Sequence, residues 1–186
     1  MIIEDKKIEG KSLTWILRCP TKYDANELYK LRVEIDGETE NLDRESGEGL
    51  LTPEDFEKII YEDKIARTTL FLLAEVKGKI VGFIRCEGSK LSRFRHKAEL
   101  GICISKEYWG YGIGKVLIEN ILMWIDTVGI EKISLTVVQT NTKAIQLYKR
   151  YGFVEEGLLI NDRIHKDGNY YNTVIMGRLL KHAIIT

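Results

Sequence analysis

Three glycines at alternate positions, Gly110, Gly112 and Gly114, within Tyr108-Trp109-Gly110-Tyr111-Gly112-Ile113-Gly114-Lys115, constrain this chain more than any other feature. They stand between a strand-like run, Ala98 to Ser105, and a segment whose Gly114, Leu117, Ile118, Ile121, Leu122, Ile125 and Val128 follow the spacing of one buried helix face. Backbone without Cβ atoms comes close to an anion, and the unpaired N–H groups of the next helix's first turn point at it. Strand, glycine loop and helix together predict a phosphate cradle, although a loop rich in glycine for chain geometry alone has the same spelling. Two familiar phosphate loops do not match. The dinucleotide fingerprint places its third glycine one residue later. The P-loop has four residues before its Gly-Lys pair and a Ser or Thr after it, whereas three separate Gly110 from Gly114 and Val116 follows Lys115.

A second block, Asn141-Thr142-Lys143-Ala144-Ile145-Gln146-Leu147-Tyr148-Lys149-Arg150-Tyr151-Gly152-Phe153, has its own logic. Asn141 is a favoured N-cap, and Asn141, Ala144, Ile145 and Tyr148 share one face of the helix that follows. Gly152 stops that helix by taking the left-handed conformation, and Phe153 opens a strand. A plain capped core helix explains this block as well.

The two blocks in this order make the stretch from Glu99 to Phe153 resemble the GNAT superfamily of acyl-CoA-dependent N-acetyltransferases. That family's acetyl-CoA loop reads (Arg/Gln)-x-x-Gly-x-(Gly/Ala), and its later helix reads N-x-x-A-x-x-L-Y-x-x-x-G-F. The match departs at Trp109, where the family has Arg or Gln, so one polar contact to the cofactor is expected to be missing or replaced.

The resemblance implies an α/β (α+β) fold: a mixed, largely antiparallel sheet of six to seven strands flanked by about four helices. Its two central parallel strands splay apart to admit the pantetheine arm. It further implies that acetyl-CoA contacts Ile102, Cys103 and Ile104 through their backbone, one N–H polarising the thioester carbonyl. Trp109, Gly110, Tyr111, Gly112, Ile113, Gly114 and Lys115 would hold the cofactor, with Asn141, Ala144 and Tyr148. The reaction implied is direct attack of a neutral amine on the thioester, with Tyr148 as the acid at the departing sulfur. A general base is then needed, because amines are mostly protonated at neutral pH. Glu99, at the start of the strand that enters the loop, is the first choice, and His96 and Glu34 are weaker ones.

Length and composition fit one enzyme domain over residues 1–186. With 28 basic and 28 acidic residues the net charge is zero, which disfavours a nucleic-acid surface. Cys19, Cys86 and Cys103 are odd in number and lack C-x-x-C spacing, against a disulfide framework and a structural zinc site; no metal is expected. Met1-Ile2-Ile3-Glu4-Asp5-Lys6-Lys7 is not a secretory leader and no run is long enough to span a membrane, so a cytoplasmic location is expected. A homodimer is compatible with the sequence.

Along the chain we expect a strand at 13–18, a helix from Asp24 to Ile35, and a helix announced by Thr52-Pro53-Glu54-Asp55. A hairpin of Thr69 to Val76 and Ile80 to Cys86 turns at Lys77-Gly78-Lys79. A strand from Glu131 to Val138 and a terminal hairpin of Val154 to His165 and Tyr170 to Leu180 follow. The ending Asp167 to Gly177 resembles the terminal hairpin of the branch containing ribosomal-protein N-terminal, polyamine and amino-acid-analogue acetyltransferases.

For the acceptor, the polar stretch after the first helix carries Glu34, Asp36, Glu38, Glu40, Asp43, Glu45 and Glu48 against Arg44 alone. Such charge attracts a cationic small-molecule or peptide amine, and it equally describes a solvated acidic loop. Tyr170, with Tyr171, is placed to line that pocket or simply to belong to a strand. A different class of protein, a non-catalytic acyl-CoA sensor or interaction module, is favoured only by Trp109. A nucleotide-binding module is disfavoured by the loop spelling.

Overall fold

In the computed structural model, which describes residues 3–10, 12–48 and 51–180, the chain opens with β1 (Lys6–Glu9), β2 (Thr14–Arg18), α1 (Ala25–Glu38) and α2 (Pro53–Ile65). It continues through β3 (Thr69–Val76), β4 (Lys79–Gly88), β5 (Lys97–Ile104), α3 (Ile113–Ile125), β6 (Lys132–Val138), α4 (Thr142–Arg150), β7 (Val154–Ile164) and β8 (Tyr170–Leu179). All eight strands join one sheet in the order β1-β2-β3-β4-β5-β6-β8-β7. Every neighbouring pair is antiparallel except β5 and β6.

Local chemistry accounts for the elements. α2 starts at a reciprocal cap: Asp55 N–H donates to Thr52 Oγ1 at 3.2 Å while Thr52 N–H donates to Asp55 Oδ2 at 2.8 Å. Pro53 occupies the first turn, where its missing N–H costs nothing. The β3–β4 hairpin closes on Lys77 and Gly78, both at positive φ, the twist-matched two-residue turn.

The sheet separates two apolar layers. On one face α3 buries Leu117, Ile118, Ile121 and Ile125 against Leu70, Leu72, Ile84 and Ile133, and α4 adds Ile145 and Tyr148. On the other, Leu28, Leu31 and Ile35 of α1 and Phe56 and Ile60 of α2 pack on Phe71, Leu73, Ile80 and Cys103. Each such side chain contributes about 1.5–3 kcal/mol of hydrophobic stabilisation, so the two layers clamp β3, β4 and β5 from both sides.

Two expectations are corrected. The sheet has eight strands rather than six or seven, because Lys6-Lys7-Ile8-Glu9 pairs along β2 at one edge. The first helix also runs past Ile35 to Glu38, so Asp36 and Glu38 are helical rather than part of a loop. The extra turn is held by an Arg32–Asp36 ion pair one turn apart, 2.8 Å, and by Glu38 Oε2, which accepts the Lys106 N–H at 2.7 Å.

The feature that positions the site is a divergence at mid-sheet. β5 and β6 are in register only at Lys97↔Lys132, Ala98↔Ile133 and Glu99↔Ser134. Beyond these pairs β5 continues to Ile104 held by β4, and β6 continues to Val138 held by β8. The two strands leave facing inner edges with a gap between them. No helix among the described residues is long and apolar enough to cross a membrane.

Candidate active site

A cleft of about 1110 Å³ occupies that gap, walled by Leu100 to Ile104 of β5, Thr136 and Val137 of β6, the glycine loop and α4. Alternation along β5 sorts its side chains. Ile102 and Ile104 approach Gly114 on the α3 face, while Cys103 packs among α1 and α2 on the other. The backbone between them faces the cleft.

The three glycines serve two purposes. Gly110 and Gly112 have φ of +86° and +84°, a region that L side chains rarely adopt, and Gly112 is the residue from which α3 starts. Gly114 is helical, and a Cβ there would stand 3.3 Å from Ile104 Cδ1, so its role is close approach. The first helical bond is Val116 N–H to Gly112 O, 3.2 Å. The N–H groups of Ile113, Gly114 and Lys115 precede it, and all three residues line the cleft: a helix start built to receive anionic oxygen. Lys143 and Arg150 of α4 add positive charge to the same wall. Tyr111, expected among the cofactor contacts, is not part of the lining and is exposed, because the turn at Gly110 and Gly112 directs it outward.

Trp109 lines the cleft, and its indole N–H donates to Ile104 O at 2.7 Å. The residue that replaces the family's Arg or Gln thus directs its polar group at the protein's own backbone. Asn141 likewise uses its side-chain oxygen internally, accepting the Ala144 N–H at 3.2 Å as the cap of α4. Asn141, Ala144, Leu147 and Tyr148 lie along the cleft.

Tyr148 is 7% exposed, with its ring 5.8 Å from that of Phe153. Burial holds its phenol well above the ordinary value near 10, and the neighbouring Cys103 adds to the effect. Cys103 is itself pushed up to about 11 by burial, opposed by Arg32, whose Nη1 lies 3.2 Å from the sulfur.

Glu99 is solvent-exposed, lies across from Glu87 of β4 and Ser134 of β6, and lines the cleft. His96 is outside the lining; its carbonyl accepts the Glu131 and Lys132 N–H groups. Of the residues expected near the acceptor, Asp43 lines the cleft, while Glu34, Glu38 and Tyr170 are elsewhere. Glu34 receives the Ser105 hydroxyl at 3.3 Å and pairs with Lys79 at 3.7 Å. Glu38 supports the turn after β5, and Tyr170 is 62% exposed at the start of β8. Asp36, with Glu40, Asp43, Glu45 and Glu48, lines a smaller adjoining cavity. The cleft lining also holds four arginines absent from the expected site residues, Arg32, Arg85, Arg150 and Arg163. Arg85 is held by Asp63 and Glu87, and Arg163 by Asp43 and Thr173. Arg163 and Asp43 are 120 positions apart, and no local pattern announces such a pair.

Similarity to known proteins agrees with this geometry. The profile of the acetyltransferase (GNAT) family matches residues 36–153, and the chain belongs to that family. It is 29% identical over 109 residues to the L-amino acid N-acetyltransferase AaaT of Escherichia coli, a stretch covering 58% of this chain and 67% of that protein. It is 32% identical over 93 residues to the spermidine N(1)-acetyltransferase of Vibrio cholerae, covering 50% of this chain and 53% of the relative. The chain thus spans about half to two-thirds of these relatives. The crystal structure of a GNAT-family acetyltransferase from Streptococcus pneumoniae superposes with a TM-score of 0.85 at 30% identity, over 89% of this chain and 99% of that one.

Proposed function

We propose that the protein transfers an acetyl group from acetyl-CoA to a primary amine by direct attack within a ternary complex. The observation that carries this reading is the parting of β5 and β6 beside a glycine-capped helix start, with one buried phenol on the wall of the gap. The free N–H groups of Ile113, Gly114 and Lys115 receive the pyrophosphate, and the inner edge of β5 at Ile102 to Ile104 offers backbone groups to the pantetheine amides. One β5 N–H faces the thioester oxygen, where negative charge grows during attack. A donor fixed before reaction stabilises that charge without reorganising.

Glu99 takes the proton from the incoming ammonium, directly or through water, since only the neutral amine attacks. The amine nitrogen bonds to the acetyl carbon, the carbon–sulfur bond breaks, and Tyr148 supplies the proton that leaves CoA as a thiol. The second proton, shed by the nitrogen as the amide forms, passes through water to restore the phenol, and Glu99 returns the first to solvent. Of the carboxylates in the lining, Asp43 is paired with Arg163 and Glu87 with Arg85, which leaves Glu99 to favour a cationic acceptor. Three free thiols support a reducing, cytoplasmic setting.

The test is release of CoA thiol from acetyl-CoA with polyamines, amino acids, aminoglycosides and N-terminal peptides, each against an enzyme-free blank. Amine-dependent release is expected. Thermal stabilisation by CoA with no release from any amine would instead identify a sensor, a reading favoured by the occupied indole N–H of Trp109.

A further inference from the structure

Beside the cleft lies a second cavity of about 400 Å³ between the end of α1 with its following loop and the β7–β8 hairpin. It shares Thr39, Leu42, Asp43 and Arg163 with the cleft lining, so the two spaces adjoin. Six carboxylates line it, Asp36 and Glu40 among them, against Arg44, Arg163 and Lys166.

Two buried polar atoms in this wall have no hydrogen-bond partner: Asp36 Oδ1 and His165 Nε2. The Asp36 side chain is 0% exposed, and its other oxygen, Oδ2, is taken by Arg32 at 2.8 Å. The His165 side chain is 10% exposed; its ring stacks on Tyr171 at 3.9 Å, and its Nδ1 lies 3.7 Å from Glu40 Oε2. A proton on Nδ1, assigned from that neighbouring carboxylate, leaves a lone pair on Nε2. Both orphaned atoms are then acceptors, and a buried acceptor without a donor is costly. Among the described residues no group of His, Cys, Asp and Glu is arranged to hold a metal ion. An alkylammonium, with three N–H donors on a flexible stem, meets both needs.

We propose that this side cavity is a subsite for a second cationic group of the acceptor, and that the substrate is a linear diamine or polyamine. One amine reaches the thioester while the distal ammonium donates to Asp36 Oδ1 and His165 Nε2. The inference rests on the acetyltransferase reading and goes beyond it by giving the acceptor a second anchor.

The experiment compares α,ω-diaminoalkanes of graded length with monoamines of the same length, measuring thiol release from acetyl-CoA. The wild type should favour diamines in kcat/KM by about tenfold or more, with an optimum length set by the distance between the two spaces. His165→Phe keeps the aromatic stack on Tyr171 and removes the acceptor, so the preference should fall by about tenfold. Asp36→Asn should lower it too. Equal use of diamines and monoamines by the wild type, or a preference undiminished in both variants, overturns the proposal.

Calorimetric titration of the CoA-bound protein with the same diamines separates the two ideas. Diamine binding that is lost in His165→Phe, without turnover of any amine, retains the subsite and removes the catalytic reading. Turnover of monoamines with no diamine preference does the reverse, and neither binding nor turnover removes both.

Discussion

Trp109 donates its indole N–H to the carbonyl of Ile104 across 2.7 Å, joining the end of β5 to the start of the glycine loop. A large side chain thereby fixes the loop's position through the protein's own backbone. Trp109→Phe keeps the ring and loses the bond. We predict a loss of about 1 kcal/mol in chemical denaturation and a several-fold rise in the KM for acetyl-CoA. Unchanged values of both would reduce the bond to a bystander.

The two kinds of glycine separate by substitution. Gly112→Ala puts a Cβ at φ +84° and should cost about 1–2 kcal/mol, a fall in Tm of several degrees. Gly114→Ala gains about 1 kcal/mol of helix propensity, against a contact at 3.3 Å with Ile104 Cδ1. Its Tm should hardly move while its KM for acetyl-CoA rises, because Ile104 must shift on the cleft wall. Paired melts and kinetics decide.

Tyr148→Phe should lower kcat by roughly 10²-fold with little change in CoA affinity, as expected where an acid is removed from an intact pocket. The pH profile follows from the sign of the shift. Burial raises the phenol above 10, and an acid acts while protonated, so Tyr148 imposes no alkaline decline on kcat at or below pH 10. Stability has the same sign: the unfolded phenol ionises first, so this contribution is intact below about pH 10 and diminishes above it. A wild-type decline near pH 9 that vanishes in the Phe variant would contradict this account.

Arg32 and Asp36 form an ion pair with side chains 17% and 0% exposed. Arg32→Met strands the carboxylate and should cost about 3–5 kcal/mol in urea unfolding. Adding Asp36→Leu should restore much of it. A double variant no more stable than the single one would place the loss in packing instead.

What could be read from the sequence, and what could not, follows the range of the interactions. The glycine loop and α3 were legible because periodicity and missing side chains are local signals. The cap of α4 was equally plain, since Asn141 and Ala144 are three positions apart. The end of α1 was not: Gly37 and a run of acids look like a loop, and Arg32 with the distant Ser105 and Lys106 holds them in a helix. β1 escaped notice because two lysines and a glutamate in four residues make no strand pattern. The side cavity was invisible for the same reason, being closed by His165 of the β7–β8 hairpin against α1 and its loop.

The three register pairs that β5 and β6 keep, and the longer stretch they forgo, make the sheet an unfinished one. Unsatisfied strand edges inside a protein are an invitation to any extended chain bearing amides. On the proposed reading, a carrier arm seated there would act as a temporary ninth strand, chosen by its backbone-like pattern of donors and acceptors before side-chain shape is consulted. Folding and occupancy would then be linked, each bound carrier adding to the stability that this sheet has alone.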